Sequence, residues 1–205
     1  MSCVLFAPGL EYLKVESFLV STGAVFLGEI GDKTQLLALL LASRFKRPWP
    51  VIAGILVATL FNHALAGIAG QWLRGLLDPA WLPWIVGISF IGVGLWALKP
   101  DTVEQGEAER SGGSVFWITT VCFFLAEIGD KTQIATTLLA LKYESLVAVV
   151  AGTTTGMLLA DVPVVFLGAA LASRLPLKPI RFAAAGLFVL LGVLTLVFGR
   201  GLASG

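Results

Sequence analysis

Two carboxylates three residues apart, inside an otherwise apolar run, open a segment that occurs twice. Glu29-Ile30-Gly31-Asp32-Lys33-Thr34-Gln35 recurs letter for letter as Glu127-Ile128-Gly129-Asp130-Lys131-Thr132-Gln133. Ionised groups deep in an apolar span are costly and mark ion or proton paths. A hard divalent cation takes several oxygen ligands, carboxylates among them. Glu29, Asp32, Glu127 and Asp130 supply four carboxylates. The hydroxyls of Thr34 and Thr132 and the carbonyls of Gln35 and Gln133 add neutral oxygens. Lys33 and Lys131, four residues beyond each glutamate, fall on the glutamate's face of a continuous helix and balance charge there. Four acids and two lysines leave a formal −2, which one divalent ion or two protons neutralise. In an unbroken helix Thr34 points elsewhere. Gly31 and Gly129 allow a close neighbour or a local opening whose free carbonyls become further ligands. The plainer reading makes each Glu–Lys pair structural, and the exact doubling of seven residues speaks against it.

Two further polar residues lie inside apolar runs. Asp161 is an additional acid and His63 the only histidine. Asp161 suits a proton relay, a partner for a motif lysine, or a helix-packing hydrogen bond ahead of Pro163. His63 is foremost a packing residue, since one histidine makes no soft-metal site; a place in the proton relay is its other reading.

The elements that must position these groups are apolar helices. The chain has 205 residues, 57% hydrophobic and 13% charged, with mean hydropathy +0.91. Soluble domains carry about 25% charged residues. A bilayer-crossing helix needs roughly 20 apolar residues. Six such spans are predicted, near Ser17–Ala42, Trp49–Leu73, Trp81–Leu98, Ser114–Leu141, Leu146–Ala172 and Pro179–Phe198. Lipid offers the backbone no hydrogen bonds, so they are helices, and they lack the alternation of a membrane barrel. Gly54, Gly67, Gly70, Gly152, Gly156 and Gly168 suit close helix contacts. Trp49, Trp72, Trp81 and Trp84 suit interfacial anchoring.

The motif offset of 98 residues also pairs Gly54 with Gly152, Gly70 with Gly168, Phe90 with Phe188 and Gly94 with Gly192. Spans one to three thus repeat as four to six. Three spans per unit make the second unit upside down, the plan of many secondary transporters. The predicted fold is an all-α integral membrane protein of two inverted three-helix repeats. Residues 1–98 form the first, 99–113 an acidic linker, and 114–205 the second.

Arg44, Lys46, Arg47, Lys99, Arg110, Arg174, Lys178 and Arg181 fall on one side; Lys14, Arg74, Lys142 and Arg200 fall on the other. The positive-inside rule makes the first side cytoplasmic, with the linker inside and both termini outside. The first residues lack the basic start of a signal peptide. Net charge is +1 with no basic strip, so nucleic acid is excluded as a partner. Cys3 and Cys122 suggest neither a disulfide framework nor a metal cluster.

At the twin motifs the sequence resembles the GDT-type cation–proton antiporters, also called uncharacterised protein family sixteen. That family carries two copies of E-x-G-D-[KR]-[ST] in a six-span repeated core. The resemblance covers nearly the whole chain and implies export of Mn²⁺ or Ca²⁺ in exchange for protons. It places Glu29, Asp32, Glu127 and Asp130 at the cation site and implies no cofactor beyond the transported ion. Eukaryotic relatives often have an extra N-terminal span and longer loops. Their lack here implies a compact bacterial form of the inner (plasma) membrane. Both ions accept the same oxygens, so Mn²⁺ and Ca²⁺ stay open, as does the oligomeric state. The rivals are an exporter of a basic amino acid or other small cationic solute, and a scaffold that moves no ions. An enzyme is not expected: the Gly-x-Gly-Asp spacing of intramembrane aspartyl proteases is absent, as are His-Glu-x-x-His and Gly-x-Ser-x-Gly.

Overall fold

A computed structural model describes residues 8–99, 114–167 and 177–198. Nearly all of the 99–113 linker and both chain ends lie outside these residues. The described residues form helices and no strands: α1 (Pro8–Glu29), α2 (Lys33–Phe45), α3 (Pro48–Leu76), α4 (Leu82–Ala97), α5 (Val115–Glu127), α6 (Lys131–Lys142), α7 (Leu146–Leu167) and α8 (Leu177–Phe198). By length and composition α3 and α7 are long and apolar enough to cross a membrane. Broad apolar surface lies outside the bundle, with Trp49, Trp72, Trp81 and Trp84 all exposed.

Spans one and four, predicted as single helices, are each broken at the motif. Gly31 and Gly129 sit at φ 80° and 73°, a left-handed conformation that glycine adopts without steric cost. Asp32 and Asp130 then have extended backbones and begin new helices as N-caps. The first helix also starts earlier than Ser17. Pro8 at its beginning and Glu11 in its first turn suit a helix N-terminus, where a proline loses no hydrogen bond and an acid meets the positive dipole end. Helix α7 runs through Pro163.

Glycine contacts set the packing. A Cβ on Gly152 would lie 2.5 Å from Phe18 O, and one on Gly156 2.5 Å from Thr22 O. Contacts advance together on both helices, so α1 and α7 run parallel. A Cβ on Gly54 would meet Phe116 O and the Thr119 side chain, while Asn62 bonds to Phe124 O, so α3 and α5 run parallel too. In α4 and α8 the order reverses. Gly94 faces Ala185 and Val189, and Gly87 faces Gly192 and Leu196, so these helices are antiparallel. Two of these contacts have counterparts at the 98-residue offset with the units exchanged: Gly54–Thr119 matches Gly152–Ser21, and Gly94–Ala185 matches Gly192–Gly87. Phe90 and Phe188, fully buried and equivalent by repeat, stack with centroids 6.3 Å apart. These contacts bring the bends after α1 and α5 together.

Candidate cation site

Each bend is built by its own motif. In the first, Asp32 N–H donates to Glu29 O at 2.9 Å, and the Asp32 carboxylate accepts from Lys33 N–H at 2.7 Å. Gln35, three residues past the cap, accepts from Gly31 N–H at 2.9 Å. The second bend repeats the backbone and glutamine bonds without the aspartate side-chain cap: Asp130 N–H to Glu127 O at 3.1 Å, and Gly129 N–H to Gln133 Oε1 at 2.7 Å. An acid cap with glutamine three residues on is a relative of the capping box. The glutamine side-chain oxygens thus hold the bends.

The glutamine amides reach the other unit. Gln35 Nε2 donates to Ala160 O of α7 at 3.1 Å, and Gln133 Nε2 donates to Asn62 Oδ1 of α3 at 3.5 Å. Ala160 and Asn62 are 98 residues apart, so each motif clasps the same position of the opposite repeat. Asn62 also ties to Phe124 O. Its role in joining the units is not legible from sequence; its place at the repeat offset is the one signal.

The charges cross in the same way. Lys131 Nζ lies 2.9 Å from Asp32 Oδ2, and Lys33 Nζ lies 3.4 Å from Asp130 Oδ1. The expected pairing of each lysine with the glutamate of its own motif is therefore replaced. The bend ends the helical register between them, so each lysine emerges from a new helix start toward the other copy's aspartate.

Glu29, Asp32, Glu127 and Asp130 are all buried, as are Thr34, Thr132, Asp161 and His63. Glu29 lies within electrostatic reach of Glu127, Asp32, Asp161 and Asp130. Thr132 Oγ1 lies 3.0 Å from Glu127 Oε2 and 3.3 Å from Asp130 Oδ2. The first copy differs: among the described residues, Thr34 Oγ1 and both Glu29 oxygens have no hydrogen-bond partner. Among the described residues, both oxygens of Asp161 and both nitrogens of His63 also lack one. Among the described residues no three His, Cys, Asp or Glu side chains converge as a ready coordination cluster; the lysine ammonium groups lie on the aspartates instead. Four buried acids and two lysines thus flank the two bends, each lysine set against the opposite motif's aspartate.

Comparison with known proteins decides the family. The family described as divalent cation/proton antiporter GDT1 matches residues 17–105 and 115–202, one match on each repeat. The chain belongs to this family. It is a membrane transport protein and not an enzyme. A Vibrio cholerae protein whose name provisionally calls it a manganese exporter is 49% identical over 180 residues, covering 87% of this chain and 90% of that one. GDT1-like protein 5 of Arabidopsis thaliana is 27% identical over 221 residues, covering 89% and 96%. The divalent cation/proton antiporter GDT1 of Saccharomyces cerevisiae is 23% identical over 234 residues, covering 88% and 83%. No solved structure matches the chain.

Proposed function

We propose that this protein exports a divalent cation, Mn²⁺ or Ca²⁺, in exchange for protons, and that Glu29, Asp32, Glu127 and Asp130 bind the ion with help from Thr34 and Thr132. Gln35 and Gln133 serve the site by fixing the bends. The observation that carries this reading is the reciprocal crossing of the two motifs, Lys131 to Asp32 and Lys33 to Asp130. It sets the buried Asp32 and Asp130, each three residues from its own motif's buried glutamate, against the opposite motif's lysine. The name of the Vibrio cholerae relative favours manganese.

Six spans in two inverted repeats form the matching scaffold. The parallel α1–α7 and α3–α5 pairs and the antiparallel α4–α8 pair support it. The basic-residue count supports a cytoplasmic linker and outward termini of a bacterial inner-membrane protein. Inverted repeats offer two related conformations, one open to each face. Carboxylates gathered away from water need a neutralising partner, a metal ion in one conformation and protons in the other. Asp161, a fifth buried carboxylate in reach of Glu29 and Glu127, then serves as a relay for those protons, with His63 at the equivalent position of the other repeat.

Counterflow in proteoliposomes tests the cargo. Radioactive Mn²⁺ or Ca²⁺ should exchange against the unlabelled ion, and radioactive lysine should not. Lysine flux without metal flux would transfer the assignment to a carrier of basic amino acids.

A further inference from the structure

We propose that Lys131 and Lys33 are tethered competitors of the transported ion: each ammonium holds the aspartate of the opposite motif, and the cation binds by displacing it. The inference rests on the reading of the motif acids as the cation site. Its geometric basis is the crossing itself. Lys131 Nζ lies 2.9 Å from Asp32 Oδ2, and Lys33 Nζ 3.4 Å from Asp130 Oδ1.

Local structure gives the lysines no reason to be there. Each is the first residue of its helix, after the aspartate cap. A cation at a helix N-terminus faces the positive end of the macrodipole, where acids are favoured. The opposite aspartate compensates for that position. It also leaves an acid-rich locus with an internal positive charge on each side.

The aspartate oxygens cannot serve both partners at once. A bound Ca²⁺ or Mg²⁺-like ion sits about 2.0–2.6 Å from a carboxylate oxygen. An ammonium group against the same oxygen would then lie within a few ångströms of a double positive charge. In a buried site little water screens that repulsion. Metal and ammonium are therefore alternatives. The arms are unequal: the Lys33 side chain is 29% exposed and that of Lys131 only 6%. Lys33 has room to leave, so the ion first takes Asp130. Lys131 is the stronger competitor, and it returns to Asp32 as the ion departs.

The test uses the full-length protein in nanodiscs and titrates Mn²⁺, reading the free ion by electron paramagnetic resonance. Lys131→Gln removes the competitor and should bind Mn²⁺ about tenfold more tightly, with Lys33→Gln giving a smaller gain. Lys131→Arg keeps the charge and should show no gain. A second readout follows amine labelling of Lys33, which should rise with Mn²⁺ in the unmutated protein. Lys131→Gln protein that melts cooperatively yet binds Mn²⁺ no more tightly would overturn the proposal. So would Lys33 labelling that ignores bound Mn²⁺, a measurement that needs no variant to fold. If the unmutated protein binds neither Mn²⁺ nor Ca²⁺, the cation-site reading itself falls, which is a different result from binding without displacement.

Discussion

Lys131 Nζ sits 2.9 Å from Asp32 Oδ2, across 99 positions of sequence and between two repeats. Both side chains are almost wholly shielded from solvent. The mirror pair, Lys33 with Asp130, is longer and its lysine is partly exposed. One design appears twice in the sequence, and its two copies stand in different surroundings.

That difference gives a stability prediction. Removing one partner of a buried ion pair leaves an uncompensated charge and costs about 3–5 kcal/mol. Asp32→Asn should cost stability on that scale because Lys131 stays buried. Asp130→Asn should cost clearly less, since Lys33 can turn to solvent. Thermal unfolding of both variants in detergent checks the order; equal losses would contradict it.

The bends predict a backbone effect separable from sterics. A Cβ on Gly129 would meet nothing within 4 Å, yet its φ is +73°. Gly129→Ala should therefore destabilise through conformation alone, by about 1–2 kcal/mol. Gly129→Asn should cost less, because asparagine tolerates the left-handed region better. By contrast, Gly152→Ala would press a methyl group 2.5 Å from Phe18 O and must separate α1 from α7. Unfolding midpoints, with cation affinity measured beside them, distinguish the two kinds of loss.

Asp161 gives a prediction about protons. Gln35 bonds to the adjacent Ala160 carbonyl, so Asp161 is on the helix that the first motif clasps. If it relays protons, Asp161→Asn should leave Mn²⁺ binding within about twofold, a few tenths of a kcal/mol. It should slow flux driven by a pH gradient far more. Stopped-flow metal flux together with equilibrium binding reads both; parallel losses would return Asp161 to a packing role.

Much of this architecture was legible because apolar length and an exact repeat survive in sequence. The 98-residue offset foretold which glycines would pack as equivalents, and Gly54 and Gly152 do so against Thr119 and Ser21. The break at each motif was harder to read. Residues 29–35 are a short polar segment between apolar runs, and the local signals were an aspartate with glutamine three residues on and a glycine before it. They spell a helix start, yet they stand inside what scans as a single span. The lysine partners were not legible at all. Helical spacing puts Lys33 beside Glu29, and only the positive φ of Gly31 and the approach of the second unit turn it toward Asp130. Spacing rules hold within one helix, and a three-residue bend cancels them.

Coupling of metal to protons is the central claim, and glutamate-to-glutamine variants test it most directly. Glu29→Gln and Glu127→Gln keep side-chain size but remove a charge that can exchange a metal ion for a proton. The measurement is Mn²⁺ flux into proteoliposomes with and without an imposed pH gradient. The unmutated protein should move Mn²⁺ against the proton gradient, and each glutamine variant should lose that response. Mn²⁺ flux indifferent to the gradient, or gradient-driven flux that survives both substitutions, would contradict the account.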